Sequence, residues 1–295
     1  MRTFREHIAD SIGRVGLGEA FTYGPGPGEP EAYEYLLDCH KSLLAWEFLR
    51  RSADYVRLQR QHSSPYDHAT ERKAGNRTIR IVQNLNPHAH PFGLEAFVEP
   101  GLPGNDAPVF WRRDFYPAVL RMRVAEADRS ETIKSPIRVD FLPCRIWLLL
   151  APDGQQHLLL SEKLRSIQFA CTGPLVLEPD VNLVLEIDDY DDVPITLRTF
   201  GQLTEFYDGY LSEKAPDQTE QQTAKWQRML MAHDGKQVGM TDREVAEALF
   251  GEAAVAAEWD SRDGPLRART RRLIAGADDL VNGGYLKILR RGRKG

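Results

Sequence analysis

Three things are scarce in this sequence of 295 residues, and each scarcity excludes a class of protein. There are only three cysteines, Cys39, Cys144 and Cys171. They are odd in number, widely spaced and in no CxxC, so neither a disulfide framework nor a four-thiolate zinc site is available. They read as reduced, mostly buried thiols. No stretch approaches the roughly 20 consecutive apolar residues that cross a bilayer, and Met1-Arg-Thr-Phe-Arg-Glu lacks the apolar run of a signal peptide. The expectation is a cytoplasmic protein with no membrane partner. Catalytic signatures are also missing. No GxSxG or HExxH occurs, Ser161-Glu-Lys163 lacks SxxK spacing, and Gly13-Arg-Val-Gly16-Leu-Gly18 has neither a preceding strand nor a following GK[ST]. Cys39 and His40 are neighbours on a helix and point about 100° apart, which argues against a nucleophile and its base. His62, His68, His88 and His90 come without a suitably spaced third metal ligand. The chain is expected not to be an enzyme and to hold no metal or cofactor.

What is present is the composition of a globular protein, 42 % hydrophobic and 27 % charged, with length for about two domains and a third small one. The net charge of −5 argues against a nucleic-acid partner, but its distribution argues the other way. From Arg262 to Gly295 ten Lys/Arg stand against three Asp, a local balance of +7 that leaves −12 on the other 261 residues. An acidic body with a basic end is the pattern of a module that meets phosphate, or else of a solvated C-terminus. The stretch holding Glu178, Asp180, Glu186, Asp188, Asp189, Asp191 and Asp192 contains no basic residue. Without a calcium-loop signature it reads as a solvated turn or a partner-facing acidic patch.

Residues 1–30 read as a short helix and a flexible, glycine- and proline-rich segment. Tyr35, Leu36, Cys39, Leu43, Trp46 and Leu49 recur at helical spacing from Glu31, and Ser52 can cap a second short helix. Ser63–Asn76 reads as loop, Thr78–Val82 as a strand, and the proline-rich run to Pro117 as an ordered layer over the helices. These form a first domain over 31–124. After a polar break at Ala125–Ser135, Ile137–Phe141, Arg145–Leu150, Gln156–Leu160, Leu175–Leu177 and Asn182–Ile187 alternate as strands of a small antiparallel sheet over 136–212. Thr196–Tyr207 fits a last strand or a helix leaving the sheet. Lys214–Gln222, polar and carrying Pro216, is the best boundary before a helical domain at 223–295. The fold class expected is α+β. The five tryptophans, Trp46, Trp111, Trp147, Trp226 and Trp259, read as core or inter-domain anchors.

In the last domain Thr241-Asp-Arg-Glu244 is a capping box opening an amphipathic helix that Gly251 stops. Gly264-Pro265 opens a longer one, with Leu266, Thr270, Leu273, Ile274 and Ala277 inward and Arg267, Arg269, Arg271 and Arg272 outward. A final basic helix follows Asn282-Gly-Gly284. A capped helix, a turn and a second helix beginning in arginines are the parts of a helix-turn-helix, whose second helix lies in the major groove, and equally of a helical hairpin with a charged face.

Thr241–Gly251, Glu258-Trp259, Leu266–Ile274 and Gly283-Gly-Tyr285 together resemble a bacterial domain found in activators and antiactivators of integrative and conjugative element excision and transfer. Tyr33-Glu-Tyr35, Ala45–Arg51 with Tyr55, and Ala107–Trp111 are similar to the regulator domain that precedes it in full-length activators. The resemblance implies a DNA-binding transcriptional activator of genes for excision or transfer of a mobile element, with a helix-turn-helix like the promoter-reading region of sigma factors. On that reading double-stranded DNA is the partner, and the acidic body engages RNA polymerase or a small antiactivator. Arg267, Arg269, Arg271 and Arg272 are the expected DNA contacts, with Arg243, Arg262, Lys287, Arg290 and Arg291 as auxiliary phosphate contacts. Residues Trp259–Gly264 replace the tight turn of a compact helix-turn-helix. The alternative is an antiactivator-type interaction module that binds no DNA and sequesters a regulator.

Overall fold

The structure, a computed structural model, describes residues 30–62, 70–74, 77–82, 85–126, 144–178, 181–208, 220–260 and 264–290. Seven strands, β1 (Thr70–Ala74), β2 (Arg77–Val82), β3 (Leu120–Glu126), β4 (Arg145–Leu150), β5 (Gln156–Glu162), β6 (Arg165–Thr172) and β7 (Val181–Glu186), form one sheet in the order β1-β2-β4-β5-β6-β3-β7. Pairing is antiparallel except for β2 with β4 and β3 with β6. The strand period of two gives the sheet two different faces. On one, Ile146, Leu148, Leu158, Leu160, Phe169 and Met122 form a core closed by Leu203 and Phe206 of helix α3 (Val193–Asp208). On the other, Leu149 and Leu159 pack beneath Ala96 and Phe110 of the proline-rich layer.

The sheet is larger than the small antiparallel one that alternation predicts. β1 lies inside the segment read as loop, because it is a charged, exposed edge strand whose Glu71 pairs with Arg80 of β2 at 3.3 Å. β3 falls between the elements expected from the sequence, and Arg121 and Arg123 interrupt its apolar residues. Both are neutralised across the β3–β7 pair, Arg121 by Asp188 and Arg123 by Glu186 at 3.0 Å. The acidic stretch is therefore partly matched by arginines distant in sequence, and Asp192 likewise takes Arg113 at 2.6 Å. β6 completes a tight hairpin with β5. Leu175–Leu177 is a turn, not a strand, with Glu178 N–H donating to Leu175 O at 3.0 Å. The ambiguous Thr196–Tyr207 is part of α3. Ile137–Phe141 and the segment 1–29 lie outside the described residues.

The helix expected to run on from Glu31 is divided. Pro30–Leu37 is a 3-10 helix, and α1 (Lys41–Leu49) begins after His40, whose backbone is extended at ψ 147°. His40 caps α1: its Nδ1 lies 2.8 Å from Ser42 Oγ and accepts from Ser42 N–H at 3.5 Å. Every residue of α1 is buried, as expected for a helix enclosed on all sides. Its neighbours come from both ends of the chain. The largest core joins Tyr33, Trp46 and Tyr55 with Trp226, Leu230, Tyr285 and Ile288. A polar network crosses it. Arg51 binds Asp234 through Nε and Nη2 at 2.7 and 2.8 Å, Tyr33 donates to Asp234 at 2.6 Å, and Arg50 and Arg51 both hold Glu47 at 2.7 Å. The proline-rich layer is fastened by Tyr55, whose hydroxyl donates to Val98 O and accepts Val98 N–H. Gln168 of β6 fastens it too, bonding both backbone groups of Trp111 at 2.8 Å.

Candidate nucleic-acid interface

After α3 come, among the described residues, α4 (Glu220–Gln237), α5 (Asp242–Phe250), α6 (Glu252–Glu258), α7 (Pro265–Asp279) and α8 (Leu286–Arg290). α5 opens on the complete capping box. Thr241 N–H donates to the Glu244 carboxylate at 2.7 Å and Thr241 Oγ1 accepts from Glu244 N–H at 3.3 Å. α5, α6 and α7 share a small core of Ala246, Val255, Trp259 and Leu266, with Phe250 against it. α7 turns its buried stripe, Leu266, Thr270, Leu273 and Ala277, inward, and packs extensively on α4. Gly276 faces Met229 of α4, whose flexible terminal methyl occupies the space that a Cβ would take. Between α7 and α8 the chain kinks at Asn282 and Gly283, which leave helical angles. Tyr285 then anchors the end by donating to Phe92 O at 2.9 Å.

The inward stripe fixes what α7 shows outward. At 100° per residue Ala268 and Ala275 lie opposite the stripe, with Arg271 and Arg272 on either side of them. All four are exposed. Arg272 has no ion-pair partner among the described residues, and Arg271 has only a distant one, Asp242 at 3.8 Å. Arg269, at the edge of the face, lies 4.8 Å over the Phe250 ring. Arg267 is turned aside: it donates to Trp259 O at 2.9 Å, stacks over the Trp259 ring at 5.3 Å and faces Asp260 at 3.4 Å. It ties α6 to α7. Arg243 pairs with Glu247 at 3.1 Å and approaches Asp260 at 3.9 Å. Lys287 pairs with Asp279 at 3.2 Å, and Arg290 lies 5.6 Å from the Phe115 ring. Arg262 and Arg291 lie outside the described residues.

These ion pairs are exposed or half-exposed, so each contributes at most about 1 kcal/mol and a phosphate can compete for the guanidinium. Sequence reasoning overlooked Asp242 and Asp260, which fall among the arginines from another helix and a turn. Asp242 lay in plain sight inside the capping box, but its proximity to Arg271 is tertiary.

Residues 191–290 match the family model described as the DNA-binding domain of a T6SS transcription factor, of RovC type, and residues 28–81 match the proteobacterial transcriptional regulator-like domain. No curated protein matches the chain. The first match covers α3 to α8, including the whole arginine surface; the second covers the 3-10 helix, α1, α2 (Ala53–His62) and the first hairpin up to Ile81. Together the two matches support a transcriptional regulator of bacterial type with a DNA-binding domain.

Proposed function

We propose that the protein activates transcription by setting the outward face of α7 against the major groove of promoter DNA, with α5 and α6 as the supporting helices of a helix-turn-helix-like unit. The observation that carries this is the pair Arg271 and Arg272, exposed on both sides of the small Ala268/Ala275 ridge, within the segment similar to a DNA-binding domain. Small side chains let the helix backbone approach the base edges, and flanking arginines reach guanine or phosphate. Arg269, Lys287 and Arg290 add phosphate contacts, as do Arg262 and Arg291, and Arg243 joins them once DNA displaces Glu247. Arg267 acts mainly as a brace. The genes controlled are those for excision or transfer of a mobile element, on the strength of the sequence resemblance, and the acidic body meets RNA polymerase or an antiactivator.

The test is a fluorescence-anisotropy titration with fragments from upstream of such operons, repeated across salt concentrations. Binding should weaken steeply with salt, each phosphate contact adding about −0.9 to the slope of log K against log[salt]. Arg271→Ala with Arg272→Ala should flatten that slope and lower affinity. Absence of any binding by the unmodified protein at low salt would overturn the reading.

A further inference from the structure

The proline-rich layer and the sheet do not close completely over one another. Where Trp111 and Arg112 pass over β5, β6 and β3, a cavity of about 390 Å³ remains, within the lower range of small-molecule sites. Its lining includes His157 of β5 and Trp111, which are 3 % and 2 % exposed. Neither ring nitrogen of His157 has a hydrogen-bond partner among the described residues, and neither does Trp111 Nε1. Two side chains that line one cavity thus carry three buried polar atoms without partners among the described residues. Leaving such a group unmatched costs about 1–3 kcal/mol, so their coincidence at a cavity is not expected of packing alone.

We propose that this cavity binds a small uncharged molecule with a carbonyl beside an N–H, the edge of an amide, urea or nucleobase. Trp111 Nε1–H is donor only and needs an acceptor, which the carbonyl supplies. Neutral His157 has one acceptor nitrogen and one donor nitrogen pointing well apart on the ring, so a single ligand edge meets one of them, and the ligand N–H suits the acceptor. Burial, helped by the nearby Arg112 cation and opposed by Asp153, pushes His157 down to about 4, so the ring is neutral near pH 7. The arginines around the cavity do not invite an anion. Arg112 pairs with Asp114 at 2.9 Å, Arg113 with Asp192 at 2.6 Å, and Arg121 with Asp188. An anionic ligand would have to displace one of these carboxylates; an uncharged one would not.

The inference is tested by NMR of the full chain carrying 15N-labelled tryptophan, the Trp111 indole signal being assigned through its loss in Trp111→Phe. Nicotinamide and uracil are titrated to millimolar concentration, with acetate and inorganic phosphate as anionic counterparts. We expect a saturable shift of the Trp111 indole with an uncharged probe and none with the anions. The Trp46 indole, which already donates to Leu102 O at 3.0 Å, should not move. His157→Leu should weaken binding about tenfold or more, and His157→Gln, which keeps a donor and an acceptor, should retain most of it. No movement of the Trp111 signal in the unmodified protein, equal movement with acetate, or undiminished binding by a folded His157→Leu variant would each overturn the proposal. The first two readings are made on the unmodified protein, so they stand even if His157→Leu does not fold.

Discussion

Arg51 and Asp234 stand 183 positions apart in the chain and meet as a two-pronged, almost fully buried ion pair, Arg51 at the end of α1 and Asp234 in the interior of α4. Asp234 also accepts the Tyr33 hydroxyl, and Arg51 also holds Glu47, so the charges are matched by hydrogen bonds as well as by one another. One carboxylate inside the segment similar to a DNA-binding domain is thereby bound to the segment similar to a regulator domain.

Breaking that pair from one side should be severe. Arg51→Ala leaves the Asp234 carboxylate buried without its partner, and a loss of about 3–5 kcal/mol is expected. Arg57→Ala, which breaks an exposed pair with Asp54, should change stability by less than about 1 kcal/mol. Urea denaturation of both variants measures the contrast. Replacing both members, Arg51→Met with Asp234→Leu, should recover much of the loss, because no unpaired charge then remains.

Mild acid should destabilise the fold through two histidines. Burial pushes His40 down to about 3, aided by Lys41 and Arg165, and pushes His157 down to about 4. Both start from an ordinary value of 6.5. As pH falls below 6.5 the unfolded chain takes up protons that the folded chain refuses, so stability drops until the folded values are reached. Between pH 7.5 and 5.5 the expected loss is about 1.4 kcal/mol from each. His40→Gln and His157→Gln should each flatten the pH dependence of the urea midpoint in this window. A midpoint unchanged between those pH values would contradict the burial of neutral rings.

Removing a carboxylate from the arginine surface should strengthen DNA binding. Asp242 faces Arg271 at 3.8 Å, and its loss frees that guanidinium for phosphate. Asp242→Asn should raise affinity severalfold at low salt while costing about 0.3–1 kcal/mol of stability, since the carboxylate also sits in the first turn of α5. Anisotropy and urea melts on the same preparation separate the two effects.

Two glycines with positive φ should respond differently to alanine. Gly154 (φ 85°) faces open space, so Gly154→Ala should cost only the left-handed backbone penalty of about 1–2 kcal/mol. At Gly173 (φ 102°) a Cβ would stand 2.4 Å from Val124 O, a backbone atom of β3. Gly173→Ala should therefore be the more destabilising of the two by thermal melting, because a strand has to move.

The helical end of the chain was legible because its signals are local. Thr241 and Glu244 are three residues apart, and the Leu266, Thr270, Leu273 and Ala277 stripe repeats at the helical period whatever the rest of the chain does. The β4 and β5 strands were legible for the same reason, as runs of alternating or continuous apolar residues. β1 and β3 were not, since charged residues mask a strand unless their partners are known. Those partners, Arg80, Glu186 and Asp188, come from other strands and turns. Of the arginine surface, sequence supplied the residues but not their sorting. Arg267 and Arg271 look alike in a helical projection, yet one is folded back onto Trp259 and the other is 69 % exposed.

By itself, then, the sequence determined the split between an acidic body and a basic end, the capped helices and the arginine-bearing face of α7, since each is set by composition or by spacing within a few residues. Only the tertiary structure decided that α1 is enclosed by both ends of the chain, that the acidic stretch answers the arginines of β3, and that His157 and Trp111 border one cavity. Those relationships join residues tens to hundreds of positions apart, and no periodicity records them. They exist because burying apolar surface brings distant segments together, and burial then makes each polar group it encloses depend on whichever partner the packing provides.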